Sequence, residues 1–241
     1  MKKDLADSER GTILIVDDDS SIRRALRVTL SGMGFTAVEA ARGEEALSLV
    51  RMTRFDVVLL DVDMPGMGGV ETCRLIRRAI ARLPILMLTV MDSENDKVLA
   101  FDAGADDYIT KPFQLREFTA RLRSAVRRRN AQDSNRDAAI QCGQIELDPV
   151  KYRVQKKGRT IHLTPKEFEM LHYLMMHAGE PIPHARLLKS VWGPEYGNEL
   201  EYLRTFVRQL RKKIEDDPHH PQYLLTDAYI GYRFNEQPQE A

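Results

Sequence analysis

Cysteine is scarce. The 241 residues contain two, Cys73 and Cys142, too few and too far apart for a disulfide framework or a zinc knuckle. No apolar run approaches the ~20 residues that a membrane-spanning helix needs. The polar stretch Met1–Arg10 offers no signal-peptide core. A cytoplasmic location with no membrane partner is therefore expected. Net charge is lacking as well: 36 Lys and Arg balance 36 Asp and Glu. The chain thus has no overall basic excess of the kind that marks many nucleic-acid-binding domains, and any such function must come from charge segregated onto particular helices. Histidine is missing before His162, and His219 and His220, set between Pro218 and Pro221, read as a solvated turn. What is present, 43% hydrophobic and 30% charged residues, describes a globular chain long enough for one large domain or two ordinary ones.

The first half alternates short apolar runs with helix-length stretches. Strands are expected at Thr12–Val16, Phe35–Glu39, Asp56–Leu60, Pro84–Thr89 and Asp107–Ile109. Helices are expected over Ser20–Met33, Glu44–Arg51, a segment that follows the loop Asp61–Gly69 and runs through Ile80, Glu94–Ala103 and Gln114–Arg128. Such a pattern reads as a parallel α/β sheet with right-handed crossovers and helices on both faces. In such sheets ligand chemistry collects beyond the carboxyl ends of the strands. Polar residues stand at those ends: Asp17 and Asp18 after the first strand, Asp61 after the third, Thr89 at the fourth and Lys111 after the fifth. Helix capping by Asp19 or Ser20 is the plain reading of the acidic run alone. Together, however, the residues would converge on one spot. Carboxylates so close repel one another unless a cation joins them, and hard oxygen ligands with open positions suit Mg²⁺. Lys111 and Thr89 suit phosphoryl oxygens. The combination implies phosphoryl transfer onto an aspartate.

These residues resemble the receiver domain of two-component response regulators. The resemblance is carried by Ile15-Val16-Asp17-Asp18, Leu60-Asp61-Val62-Asp63-Met64-Pro65-Gly66, Leu88-Thr89 and Ala105-Asp106-Asp107-Tyr108-Ile109-Thr110-Lys111-Pro112-Phe113. It implies a flavodoxin-like, doubly wound, five-stranded fold. Asp61 would be the phosphoryl acceptor, with Lys111 pairing with the phosphoryl group and Thr89 and Tyr108 forming a switch pair. Asp18 and Asp61 would ligate Mg²⁺, Asp17 would act through water, and the carbonyl of Asp63 would be a further ligand. A cis Lys111–Pro112 bond is also implied. Because no histidine lies in this half, the phosphoryl group must come from a separate histidine kinase.

From residue 130 to 139 every large apolar residue disappears, as in a flexible linker. It separates a first domain at 11–129 from a second at 140–236. There, strands are expected at Ile145–Leu147, Arg153–Gln155 and Thr160–Leu163. Thr164-Pro165-Lys166-Glu167 reads as a capping box opening a helix that buries Phe168, Leu171, Leu174 and Met175. A short helix at Pro183–Trp192 precedes an amphipathic one at Glu199–Ile214. Leu203, Phe206, Val207, Leu210 and Ile214 form the core stripe of the second helix, and Arg204, Thr205, Arg208, Arg211 and Lys212 its opposite face. A hairpin, Gln222–Thr226 with Gly231–Phe234, is suited to be a wing. Arginines on a helix that enters the major groove read guanines and phosphates.

This half resembles the winged-helix effector domain of the OmpR/PhoB regulators. The resemblance is carried by Leu163-Thr164-Pro165-Lys166-Glu167-Phe168, Val191-Trp192-Gly193, Leu210-Arg211-Lys212-Lys213-Ile214-Glu215-Asp216-Asp217-Pro218 and Gly231-Tyr232-Arg233-Phe234. Ala228-Tyr229 stands where the family's wing usually has Arg-Gly, and Arg233 either contacts a phosphate or closes the hairpin. Glu201-Tyr202-Leu203-Arg204 and Trp192-Gly193-Pro194 look most like the potassium-responsive Kdp branch, which implies control of potassium-transport genes. The resemblance further implies that phosphorylation promotes a homodimer on double-stranded promoter half-sites. Lys97 and Glu117, and Asp107 and Arg121, would be its matching charges, and Val98, Phe101 and Ala120 its apolar patch. Two alternatives stand beside this reading. One is a DNA-binding regulator indifferent to phosphate. The other is a phosphatase of the haloacid-dehalogenase type, which Asp61-Val62-Asp63 superficially matches, although that motif ends the first strand there and the third here.

Overall fold

The computed structural model of the chain describes residues 11–90, 99–130, 139–197 and 199–238. The chain divides into two compact units, Met1–Arg129 and Asn130–Ala241.

The first unit runs β1 (Thr12–Val16), α1 (Ser20–Gly32), β2 (Thr36–Ala40), α2 (Gly43–Met52), β3 (Val57–Asp61), α3 (Gly69–Ala79) and β4 (Ile85–Thr89). Residues 94–98 of the expected helix at 94–103 lie outside the described residues; its helical end at 99–102 is labelled α4. Next come β5 (Asp107–Thr110) and α5 (Leu115–Asn130). The five strands form one sheet in the order β2-β1-β3-β4-β5, every neighbouring pair parallel.

Ile13, Leu14, Ile15 and Val16, Val57 to Leu60, and Ile85, Met87 and Leu88 are all 0% exposed. Unbroken apolar runs of this kind belong to strands covered on both faces. Alternation sends Ile13, Ile15, Val57, Leu59, Leu86, Leu88 and Ile109 to one side, where they pack with Leu26 and Leu30 of α1 and Phe118 and Leu122 of α5. Each buried side chain of this size contributes about 1.5–3 kcal/mol. All five strands point the same way, so their carboxyl ends share one edge.

The second unit opens with an antiparallel sheet of β6 (Ile140–Cys142), β7 (Ile145–Asp148), β8 (Arg153–Lys156) and β9 (Arg159–Ile161). Then follow α6 (Pro165–Met176), β10 (Ile182–Pro183), α7 (His184–Trp192), α8 (Leu200–Ile214), β11 (Leu224–Asp227) and β12 (Gly231–Phe234). The last sheet has the order β10-β12-β11. The capping box that opens α6 forms as expected: Glu167 N–H donates to Thr164 Oγ1 at 3.3 Å, and Thr164 N–H donates to the Glu167 carboxylate at 2.7 Å. Leu203, Phe206, Val207, Leu210 and Ile214 of α8 are all buried, and Trp192 meets Phe206 edge-on at 4.9 Å between ring centroids. At the start of β12 a Cβ on Gly231 would stand 1.9 Å from the Ile182 carbonyl oxygen. Only glycine lets the short strand β10 pair there.

Helix, helix, helix and two-stranded wing in this order make a winged helix.

Candidate functional site

The carboxyl ends of β1, β3 and β5 bring Asp17, Asp61 and Lys111 into direct contact. Lys111 Nζ donates to Asp17 Oδ2 at 2.7 Å and to Asp61 Oδ1 at 2.8 Å. Asp17 and Asp61 are 1% and 5% exposed, while Asp18 and Asp63 are exposed. Burial is the main influence on Asp61 and, with repulsion from Asp17 and Asp63, it outweighs Lys111 and lifts the carboxyl above its ordinary pKa. Burial works against the Lys111 ammonium, yet its bonds to Asp17 and Asp61 prevail and raise it. Thr89 ends β4, is buried, and its carbonyl accepts from Lys111 N–H at 2.6 Å. The Lys111–Pro112 bond is cis. All five strand-end residues of the sequence reading thus lie along one edge.

The aspartate run divides its labour. Asp19 is the N-cap of α1, its Oδ1 accepting from Ser21 N–H at 2.7 Å. Asp17 Oδ1 accepts from Asp19 N–H at 2.9 Å, which ties the loop to the site. Oxygens of Asp17, Asp18 and Asp61 lie within 4.8 Å of one another, close enough to hold a metal ion together. Three hard carboxylates, one of them open to solvent, suit a small divalent cation that keeps part of its water.

Arg23 also belongs to this loop, although the sequence reading passed over it. Its Nη1 donates to the carbonyls of Asp17 at 2.7 Å and Asp18 at 3.0 Å, while Nε pairs with Glu39 at 3.3 Å. The guanidinium pins the two carbonyls that flank the acidic side chains. Its signal was a charged residue one and a half turns past the acidic pair, three before Leu26 and seven before Leu30 and so on the apolar face of α1. Gly69 was likewise missed. A Cβ there would stand 1.9 Å from the Asp61 carbonyl oxygen, so glycine lets α3 start directly against the end of β3.

Farther along this edge Tyr108 is half-buried, its ring 5.7 Å from that of Phe101. Asp107 pairs within the chain with Arg121 at 2.9 Å, and Arg121 pairs with Glu117 at 3.0 Å. Ala120 is partly buried. Phe101, expected in the apolar patch of a dimer face, is only 5% exposed because it packs on Tyr108. Lys97 and Val98 lie outside the described residues. Cys73 is buried, and burial pushes its thiol up to about 12, which leaves it unreactive.

In the second unit Arg204, Arg208 and Lys212 are exposed. Spaced four apart, they form one stripe along α8, with Arg204 also paired to Glu201 one turn earlier. Three side chains read as candidates for DNA contact are engaged within the domain. Thr205 is 9% exposed and its hydroxyl donates to the Glu201 carbonyl at 3.0 Å, so it belongs to the buried side of the helix. Arg211 turns to the wing: Nε and Nη2 donate to the Leu224 carbonyl at 2.9 and 2.7 Å, and Nη2 to Thr226 Oγ1 at 2.8 Å. Burial lowers its pKa. Arg233 makes a bidentate pair with Asp227 at 2.9 and 3.0 Å and closes the hairpin. A core stripe that widens to Thr205, and a hairpin that needs fastening, claim side chains that a helical wheel assigns to solvent.

Comparison with known proteins agrees with both units. Residues 13–123 match the response regulator receiver domain, and residues 158–234 match the C-terminal domain of transcriptional regulatory proteins. The transcriptional regulatory protein KdpE of Mycobacterium tuberculosis is 42% identical over 222 residues, covering 92% of this chain and 98% of that protein. The crystal structure of DrrB, an OmpR/PhoB homolog from Thermotoga maritima, is 32% identical, covers 93% of this chain and 98% of its own, and superposes with a TM-score of 0.50. A RitR mutant shares the fold at a TM-score of 0.78 with 23% identity, covering 94% and 99% of the two chains. Two-domain coverage at this identity decides the family: the chain is a two-component response regulator of the OmpR/PhoB type, a receiver joined to a winged-helix DNA-binding domain, and it regulates transcription.

Proposed function

We propose that Asp61 is the phosphoryl acceptor of a receiver domain at 11–129, joined by a linker at 130–139 to a DNA-binding domain at 140–236. The observation that carries this reading is the contact of Lys111 with both Asp17 and Asp61 at the sheet edge. Lys111 engages Asp61 Oδ1, which leaves Oδ2 to attack phosphorus. As the new O–P bond forms, the bond from phosphorus to the imidazole nitrogen of a partner histidine kinase breaks, and that nitrogen keeps the electron pair. Asp17, Asp18 and Asp61, with the carbonyl of Asp63, would hold Mg²⁺, which neutralises charge gathered on the carboxylates and phosphoryl oxygens. Lys111 then moves its ammonium from Asp61 to a phosphoryl oxygen. Thr89 supplies a hydroxyl to another, and Tyr108 follows inward. The receiver thereby assists its own phosphorylation, and in reverse its dephosphorylation, without being an enzyme that turns over a substrate.

The phosphorylated chain forms a homodimer through the face of α4, β5 and α5. Asp107, Glu117 and Arg121 already pair within the chain, so a dimer exchanges or extends these bonds. The Arg121–Glu117 pair, open to solvent on the Glu117 side, contributes only ~0–1 kcal/mol; with Lys97 these charges set register, and Val98, Phe101 and Ala120 supply apolar contact once Tyr108 shifts. Arg204, Arg208 and Lys212 of α8 then meet double-stranded DNA in adjacent half-sites. The protein acts in the cytoplasm, and the Kdp-like residues at Glu201–Arg204 point to potassium-transport genes.

Intact-mass measurement after treatment with an acyl phosphate and Mg²⁺ tests this. One phosphoryl group per chain is expected, absent in Asp61→Ala. Sustained hydrolysis of p-nitrophenyl phosphate would favour the phosphatase reading instead.

A further inference from the structure

Tyr229 sits at the tip of the wing and is 105% exposed, with no hydrogen bond or ring contact among the described residues. It occupies the third position of a tight turn closed by Ile230 N–H donating to the Asp227 carbonyl at 3.1 Å. Its φ is +65°, whereas the other central residue, Ala228, has no positive φ. That position normally takes glycine or asparagine, because a side chain there is strained. Here the strain holds a large aromatic ring out in water, beside Ile230, itself 48% exposed. Residues held in such conformations concentrate where they contact a ligand.

The tip is also rigidly aimed. The Arg233–Asp227 pair clamps its base, and Arg211 of α8 holds β11 through Leu224 and Thr226. The hairpin is thus fixed to the helix that carries the Arg204–Arg208–Lys212 stripe. Because Arg233 neutralises Asp227, the tip presents an uncharged phenol and an aliphatic side chain. An apolar ring with one hydroxyl suits the deoxyribose wall of a groove, with the hydroxyl donating to a phosphate oxygen.

We infer that Tyr229 is a DNA-contacting residue, packing its ring on the sugar–phosphate wall beside the groove that α8 enters. This rests on the reading of α8 as the DNA-facing helix. The contact adds affinity without neutralising a phosphate, so it leaves the salt dependence of binding unchanged.

The test uses the full chain and a duplex recovered by the wild type from a random-sequence pool, with affinity measured across a salt series. Tyr229→Gly relieves the backbone and should melt at or above the wild-type temperature. It should bind roughly tenfold more weakly, the scale of one aromatic contact, with an unaltered salt slope, and Tyr229→Phe should lose less. Arg208→Ala should weaken binding and reduce the slope by about one. Wild-type affinity in Tyr229→Gly, with Arg208→Ala weakened, overturns the inference and leaves the tip to another partner. A change of slope in Tyr229→Gly overturns it as well. Wild-type affinity in Arg208→Ala overturns instead the reading of α8 on which it rests.

Discussion

A buried carboxylate with a raised pKa binds its proton more tightly in the folded chain than in the unfolded one. For Asp61 the associated stability is complete below the ordinary value of 3.8 and is lost as pH rises through the folded value. At neutral pH its ionised form therefore weakens the fold. Asp61→Asn should raise the melting temperature at pH 7 in chelator, and the difference from wild type should vanish as pH falls below 3.8. Added Mg²⁺ should raise the wild type and leave the variant behind. Lys111→Met has the opposite effect. It leaves Asp17 and Asp61 facing each other without their cation and should cost roughly 3 kcal/mol in denaturant titration at pH 7. At this scale the sequence showed which residues meet and not what holds them. Asp17, Asp61, Thr89 and Lys111 were legible because each ends an apolar run. Arg23 acts on backbone carbonyls of the loop, and a bond to a carbonyl leaves no mark in side-chain chemistry.

Element identity was legible wherever periodicity ran long. The strands β1 and β4 and the helix α8 follow from apolar spacing, with ends within a residue of those expected, and α6 starts where its capping box places it. Two strands carry no such signal. β6 has three residues, and β10 has two, with Ile182 between Pro181 and Pro183; both exist because neighbouring strands supply pairing partners. The basic face of α8 was legible only in part. Periodicity gives the side of the helix that Arg211 occupies and is silent on its reach to β11. That reach makes the wing depend on one side chain: Arg211→Ala should cost about 2 kcal/mol and speed amide exchange in β11 and β12 more than in α6. In the receiver, Gly69→Ala should push α3 away from β3 and destabilise the first unit by about 1–3 kcal/mol, lowering the yield of phosphoryl adduct at Asp61 as well.

At the scale of the whole molecule the balance of 36 basic and 36 acidic residues conceals a division of labour. The acidic groups that matter converge on the edge of a parallel sheet, and the exposed basic ones line α8. Joining them requires one phosphoryl group at Asp61 to alter the face of β5 and α5, where Asp107, Arg121 and Glu117 now satisfy one another within the chain. That coupling is the central claim. Sedimentation of the wild type and of Asp61→Ala, each with Mg²⁺ before and after treatment with an acyl phosphate, tests it most directly. The wild type should shift from monomer to dimer on treatment while Asp61→Ala stays a monomer; identical sedimentation of the two treated proteins would contradict it.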